Sequence, residues 1–107
     1  MRKINLVGLA VILFLNSSLL FGGNVSSDCT FKGKKLFGKV QFVTSFPDIK
    51  VQIVTSFPDI KVEKVNSFPD SCGKWQEVSS FPDIKVQLVD SFPDIKIQYV
   101  TSFPGVN

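Results

Sequence analysis

Apolar and polar residues alternate in short runs through most of the chain. In residues 49–53, Ile and Val occupy every second position, with Lys50 and Gln52 between them. This period of two residues, carried by β-branched side chains, predicts half-buried β-strands. A proline recurs after each run and is incompatible with a helix interior. The pattern therefore predicts an all-β protein made of short strands.

The runs belong to a repeat whose constant element is Ser-Phe-Pro. A representative unit, residues 49–59, reads Ile-Lys-Val-Gln-Ile-Val-Thr-Ser-Phe-Pro-Asp, and successive Phe residues are 11, 11, 13, 11 and 11 positions apart. Periods of this kind determine the architecture of a chain. The repeated residues, to which we assign a structural role, are Phe46, Pro47, Phe57, Pro58, Phe68, Pro69, Phe81, Pro82, Phe92, Pro93, Phe103 and Pro104.

The repeat is itself duplicated. Residues 72–78 align without gaps on residues 37–43, a shift of 35 positions, and the same shift carries the first three repeated Phe residues onto the last three. The chain therefore contains two blocks of three units each, covering about residues 36–71 and 72–107.

Each Phe-Pro-Asp corner predicts a turn, because Pro presets φ and Asp bonds to nearby backbone N–H groups. Proline also favours an extended conformation at the preceding Phe. Because the unit length is odd, the corner must reset the alternation so that every Ile/Val face points to one core. Burying a Phe side chain contributes about 2–3 kcal/mol, so we expect the six rings to form an internal column. The alternative is an exposed aromatic ladder that binds carbohydrate.

The N-terminus has the pattern of an export signal. Arg2 and Lys3 precede an apolar stretch, Ile4 to Leu15, that is shorter than the roughly 20 residues of a membrane span. We interpret residues 1–27 as a signal peptide and residues 28–107 as one domain. An uncleaved N-terminal anchor is the alternative, and either form predicts an exported, periplasmic, extracellular or cell-surface protein.

Cys29 and Cys72 are the two cysteines of the chain. In an oxidising compartment they are a candidate disulfide, which would stabilise a loop of this size by about 3–4 kcal/mol. The residues alone leave open whether the two thiols pair or stay free. Two thiols without His cannot complete a tetrahedral zinc shell, so we expect no metal site.

Composition argues against nucleic-acid binding and against catalysis. The net charge of +3 falls to 10 Lys against 9 acidic residues once Arg2 and Lys3 are set aside. A near-neutral domain of this kind gives no support to nucleic-acid binding. The chain has no His, and the recurring Asp residues follow from the recurring corners. We therefore expect no enzyme, no catalytic residue and no cofactor.

Trp75 and Tyr99 break the repeat, since Val40 and Lys64 occupy the equivalent positions in the other block. They are the candidates for a localised binding site, and for Trp75 the alternative role is core filler.

The Ser-Phe-Pro-Asp corners, the Gly73-Lys74-Trp75 insertion and the closing Ser102-Phe103-Pro104-Gly105 resemble the septoil-knot domain family. The resemblance covers about residues 31–107. It implies a small all-β bacterial domain whose backbone forms a seven-crossing torus knot, and it brings no catalytic or ligand-binding residues with it.

Two architectures follow, and they differ in which strands are neighbours. A seven-crossing torus knot is formed by two strands that wind around each other, so the two blocks would intertwine. A single-start β-solenoid would instead stack each unit on the unit 11 residues away. True knots are almost absent from known folds, but the resemblance favours the intertwined form.

These observations predict an exported, non-enzymatic and monomeric domain whose role is structural persistence. The alternatives are a binding module for a glycan or a protein partner, and a repeat protein that forms surface fibres. The segment Val51 to Thr55, with high β propensity and little charge, is the basis of the fibre alternative.

Overall fold

A computed structural model describes residues 25–106, which form a two-stranded hairpin and a closed six-stranded barrel. The strands are β1 (Thr30–Phe31), β2 (Lys34–Lys35), β3 (Gly38–Phe42), β4 (Ile49–Ile53), β5 (Ile60–Lys64), β6 (Lys74–Glu77), β7 (Ile84–Leu88) and β8 (Ile95–Tyr99). The all-β prediction is confirmed. Over these residues no helix is long and apolar enough to cross a membrane. The signal peptide predicted over residues 1–27 lies almost entirely outside the described part.

The two blocks alternate around the barrel. Its ring order is β3, β6, β5, β8, β4 and β7, and every ladder is parallel. Strands β3 to β5 belong to the first block and β6 to β8 to the second, so each strand pairs on both sides with strands of the other block. A single-start solenoid would have paired β3 with β4, and it is the wrong alternative. The intertwined arrangement is confirmed.

All six ladders have the same stagger. We number the positions within each strand from Gly38, Ile49, Ile60, Gly73, Ile84 and Ile95. Position 1 of one strand then lies opposite position 3 of its neighbour, as in Ile84 opposite Val40 and Ile49 opposite Val86. A uniform stagger in a closed ring relates the six units by rotation about the barrel axis without translation. Equivalent residues therefore lie at one height along that axis.

The barrel interior is filled from positions 1 and 3. Side chains at these positions are fully or nearly fully buried, whereas positions 2 and 4 face outward and carry Lys, Gln or Glu. The inward set comprises Val40, Ile49, Val51, Ile60, Val62, Trp75, Ile84, Val86, Ile95 and Ile97. The predicted phase reset at each corner is therefore confirmed.

Five of the six corners pass over a strand of the other block, with a hydrogen bond at each edge of that strand. In the corner after β3, the Val43 N–H donates to the Val86 carbonyl at 2.8 Å, and the Asp48 N–H donates to the Lys85 carbonyl at 2.8 Å. Consecutive residues of a strand direct their backbone groups to opposite edges. The corner therefore leaves one edge of β7 and arrives at the other, crossing its outer face.

The same pair of anchors recurs at four further corners. In each pair the backbone N–H of the first residue donates to the backbone carbonyl of the second: Val54 and Ile97 with Asp59 and Lys96; Val78 and Val40 with Asp83 and Lys39; Val89 and Val51 with Asp94 and Lys50; Val100 and Val62 with Gly105 and Lys61. The four residues between the anchors are looped outward, and we call each such segment an arch. The arches are residues 44–47, 55–58, 66–69, 79–82, 90–93 and 101–104, where the 66–69 arch leaves from the Val65 bond to Trp75. Side-chain amides from the crossed strands support several of them, as in Gln87 Nε2 donating to the Thr44 carbonyl at 3.2 Å.

The corner carboxylates bind across the blocks. Asp48 Oδ2 accepts the Lys85 N–H at 2.8 Å, while the Asp48 N–H donates to the carbonyl of that same Lys85. The same reciprocal pair joins Asp83 to Lys39 at 2.8 Å. The prediction that each Asp bonds to N–H groups close to it in sequence is therefore wrong. The partners of Asp48 and Asp83 lie 37 and 44 residues away in the chain.

The hairpin is fastened to the second block. Cys29 and Cys72 form a disulfide across 43 residues, and the Leu36 carbonyl accepts the Gly73 N–H at 3.2 Å. The chain enters β6 at Gly73, where φ is +82° and an added Cβ would collide with the Lys61 carbonyl and lie 2.8 Å from the Gly105 nitrogen. Backbone atoms cannot yield as a flexible side chain can, so glycine is required at this entry.

Replacing Asp83 with Ala should lower the free energy of unfolding by about 1–2 kcal/mol, because the Lys39 N–H loses its carboxylate acceptor. Asp70→Ala is the matched control. Its N–H bonds to the Phe68 carbonyl, and within residues 25–106 its carboxylate makes no cross-block bond. Urea unfolding of both variants measures the difference, and equal losses would contradict the assigned role of the corner carboxylates.

Gly73→Ala should cost about 3 kcal/mol or more, because the new methyl group meets backbone at a left-handed φ. Gly33→Ala is the control, since Gly33 has a φ of +81° with nothing within 4 Å of an added Cβ. Its cost should stay near 1–2 kcal/mol, which reflects conformation alone. Chemical denaturation separates the two contributions, and a similar shift in both variants would refute the close approach at Gly73.

Candidate interaction surface

The six repeated Phe side chains lie outside the barrel. Their exposed fractions run from 79% at Phe68 to 93% at Phe57 and Phe92. The expected internal column of Phe rings is therefore wrong. The physical reason is the arch: two inward positions per strand already fill the narrow barrel, and the arches carry the Phe residues over its outer wall.

Each of these Phe residues has a left-handed backbone. Their φ values lie between 53° and 55°, so the predicted extended conformation before Pro is also wrong. For a bulky residue this region costs about 1–2 kcal/mol relative to the right-handed one. The tight, outward-looped arch imposes the conformation, which recurs at all six tips although the 66–69 arch has a cross-block anchor on one side only.

The six Phe residues form a ring around the barrel. They occupy equivalent positions of the six units, so the uniform stagger places them at one height. We call them the rim phenylalanines, and their order around the ring is Phe46, Phe92, Phe57, Phe103, Phe68 and Phe81. Rim phenylalanines of the first block therefore alternate around the ring with those of the second block.

Several polar groups of the arches are already engaged in the fold. Asp48 follows the Phe46-Pro47 tip, and its Oδ2 accepts the Lys85 N–H. The Thr44 carbonyl accepts from Gln87. The same bonds recur at other arches, as in Gln41 Nε2 to the Ser79 carbonyl at 3.0 Å and Gln52 Nε2 to the Asp90 carbonyl at 3.0 Å. At these three tips the carbonyl two residues before the Phe ring therefore already has a partner.

A second ring consists of lysines at position 2 of every strand. Its members are Lys39, Lys85, Lys50, Lys96, Lys61 and Lys74. Their side chains face outward from the barrel. Nine acidic residues among residues 25–106 nearly balance ten lysines, so the surface has no strong excess of either charge.

Trp75 is a core residue. It is 2% exposed, and its Nε1 donates to the Leu36 carbonyl at 3.0 Å. It lies opposite Gly38 in the β3–β6 ladder, where the missing side chain leaves room for the indole. Of the two roles open to Trp75, core filler is therefore the correct one.

Tyr99 is half-buried beside charged neighbours. Lys64 Nζ lies 4.7 Å from the centre of its ring, a cation–π contact. Burial raises the pKa of the Tyr99 phenol above its usual value, and the nearby Glu77 carboxylate raises it further. The folded state favours the neutral phenol. The contribution of Tyr99 to the free energy of unfolding is therefore present at neutral pH and is lost as the pH rises through the raised pKa. A half-buried Tyr with a lysine on its face does not form a deep site.

Across the described residues the structure contains no cluster of three or more His, Cys, Asp or Glu side chains that could hold a metal ion. No polar or charged side chain in this part of the chain is buried. The rim phenylalanines, which sequence analysis assigned to the core, are therefore the most distinctive surface feature. The signal for their exposure was the corner length, because four residues between anchors cannot return a large side chain to the interior.

Phe57→Asn should leave the free energy of unfolding unchanged or raise it by up to about 1 kcal/mol, because Asn tolerates a left-handed φ and the lost ring is exposed. Phe31→Asn is the matched control. Phe31 is 8% exposed and belongs to the core, so its loss should cost about 3–5 kcal/mol. Thermal and urea unfolding compare the two, and a marked destabilisation by Phe57→Asn would contradict an exposed rim.

Comparison with known proteins agrees with this architecture. The family described as "7(1) septoil knot domain" matches residues 33–107, which span the whole barrel. No curated protein matches the chain. The match covers well over half of the sequence and extends over both blocks, so the chain belongs to the septoil knot domain family.

Proposed function

We propose that this chain is an exported, non-enzymatic domain whose function is to persist outside the cell as a monomer. The observation that carries the proposal is the set of corners that each cross a strand of the other block. To unravel, a chain end must be withdrawn beneath the arches. That requirement slows unfolding beyond what equilibrium stability alone provides, which is kinetic stability.

The chain is bonded to the rest of the domain near both of its ends, which supports a role in persistence. At the C-terminal side, Lys61 and Gly105 exchange two backbone hydrogen bonds of 3.0 Å and 2.9 Å. At the N-terminal side, the Cys29–Cys72 disulfide joins the hairpin to the start of the second block. An oxidising compartment outside the cytoplasm preserves such a bond. The apolar leader is the second support for export.

The absence of catalytic groups supports a non-enzymatic role. The chain contains no His. Between residues 25 and 106, the buried side chains are apolar, so no general acid or base is held in a desolvated site. The recurring Asp carboxylates hold backbone N–H groups of the other block, which is a structural task.

A binding module is the second candidate function, and the exposed rim phenylalanines favour it. Six apolar side chains with strained backbones add nothing to the barrel core, yet every unit retains one. A surface fibre is less favoured, because a closed barrel leaves its own strands no unpaired edge on which another chain could add.

Cutting the connection between the blocks tests the persistence role. A protease site placed in the 66–69 arch should raise the unfolding rate in denaturant by at least about tenfold after cleavage, because new chain ends can leave without threading. A site placed at Lys32-Gly33, before the barrel, is the control, and cleavage there should change the rate little. Stopped-flow or manual-mixing unfolding measures both rates under oxidising conditions.

The comparison is made between cut and uncut forms of the same variant. Similar unfolding rates before and after cleavage in the arch, at matched equilibrium stability, would refute kinetic persistence. The expected companion result is slow degradation of the uncut protein by a processive protease, with rapid degradation of the cut form.

A further inference from the structure

The rim phenylalanines have the strained backbone of the arches and add no buried side chain to the core. Each has a φ near +54° and is at least 79% exposed. Scattered exposed apolar residues are ordinary on protein surfaces, but six in equivalent positions on strained arches are not. The six exposed side chains are therefore available to contact a partner outside the domain.

We propose that the rim phenylalanines insert into the surface of a lipid bilayer. The proposal deepens the binding role considered above and does not depend on the persistence role. Two adjacent rings, such as Phe46 and Phe92, lie at one height on one side of the barrel, so a flat surface meets both together. Because the six units are equivalent by rotation, any of the six neighbouring pairs offers the same contact.

The chemistry around the tips favours lipid over carbohydrate. A sugar is recognised through its hydroxyls, which need free donors and acceptors beside the aromatic ring. At the Phe46 tip the Asp48 carboxylate and the Thr44 carbonyl already have partners, Lys85 and Gln87, so the Ser45 hydroxyl is the one polar side chain directly beside the ring. A phenylalanine flanked by Ser and Pro offers an apolar body, and aromatic side chains are favoured at the membrane–water interface.

The sequence before the barrel places the domain beside a membrane. The apolar stretch Ile4 to Leu15 ends about ten residues before Val25, where the described domain starts. As an anchor this leader would hold the domain at a bilayer, and as a cleaved export signal it would bring the domain across one.

The charge balance specifies the mode of contact. Ten lysines and nine acidic residues among residues 25–106 leave the domain almost neutral, so electrostatic attraction to anionic lipid is weak. Insertion of the rings must supply the affinity. Binding should therefore differ by no more than about twofold between vesicles of phosphatidylcholine and vesicles that also contain phosphatidylglycerol.

The test uses the full chain and vesicles whose phosphatidylcholine carries brominated acyl chains, which quench nearby indoles. With Phe92→Trp as reporter, the new fluorescence should be quenched. Trp75, buried in the core, should supply an unquenched background that is the same in every variant. A thermal unfolding midpoint close to that of the reporter variant shows that each further variant is folded.

Two double variants in the reporter background form the matched comparison. Phe46→Ser with Phe57→Ser removes both ring neighbours of position 92, and quenching of the reporter should fall at least about threefold. Phe68→Ser with Phe81→Ser removes the same number of rings but neither neighbour, and quenching should be retained. The two variants share leader, charge and composition, so the leader's own affinity for lipid cancels.

Equal loss of quenching in both double variants, or reporter fluorescence unquenched in the folded chain, would overturn the proposal. So would quenching that requires phosphatidylglycerol. A blue shift of the reporter that grows with protein concentration, without quenching, would show that a second copy of the chain occupies the rim, and it would also overturn membrane insertion.

Discussion

The constraint on which the structure depends is that each barrel strand hydrogen-bonds on both sides with strands of the other block. Within each block, a strand and its successor are therefore separated by one strand of the opposite block, and the connection has to pass over that strand. The arches, the cross-block carboxylates and the exposed Phe tips all follow from this crossing. Thus a pairing rule at the level of the backbone determines which side chains reach solvent.

The strands and their division into two blocks were predictable from the sequence. Alternation in the unit from Ile49 identifies the strands, and the shift of 35 positions identifies the duplication. Interleaving of the blocks rested on the family resemblance, because ladders with shifts of 37 and 44 residues leave no local trace in the chain. The carboxylate of Asp83 illustrates the same limit. Its bond to Lys39 looks like a local turn interaction until the crossing is known.

The candidate surface was the part that sequence analysis placed wrongly. Hydrophobicity alone assigns Phe57 to the core, because burying its ring would contribute favourably to the free energy of folding. The assignment fails because Ile and Val at two positions per strand already fill a six-stranded barrel. Trp75 shows the opposite case, since it fits inside because Gly38 lies opposite it. The room available to a large side chain thus depends on its neighbours across the ring, which the linear sequence does not display.

The alternation of blocks also determines when the protein can fold. The first three barrel strands have no partners among themselves, and the first strand of the second block begins at Lys74. A nascent chain that ends before this point cannot complete any barrel ladder, however well its segments favour β structure. Folding must wait for most of the polypeptide and then proceed through distant contacts, which are slow to form. A polypeptide with this property stays without barrel ladders until its second half emerges, so synthesis and folding are separate stages.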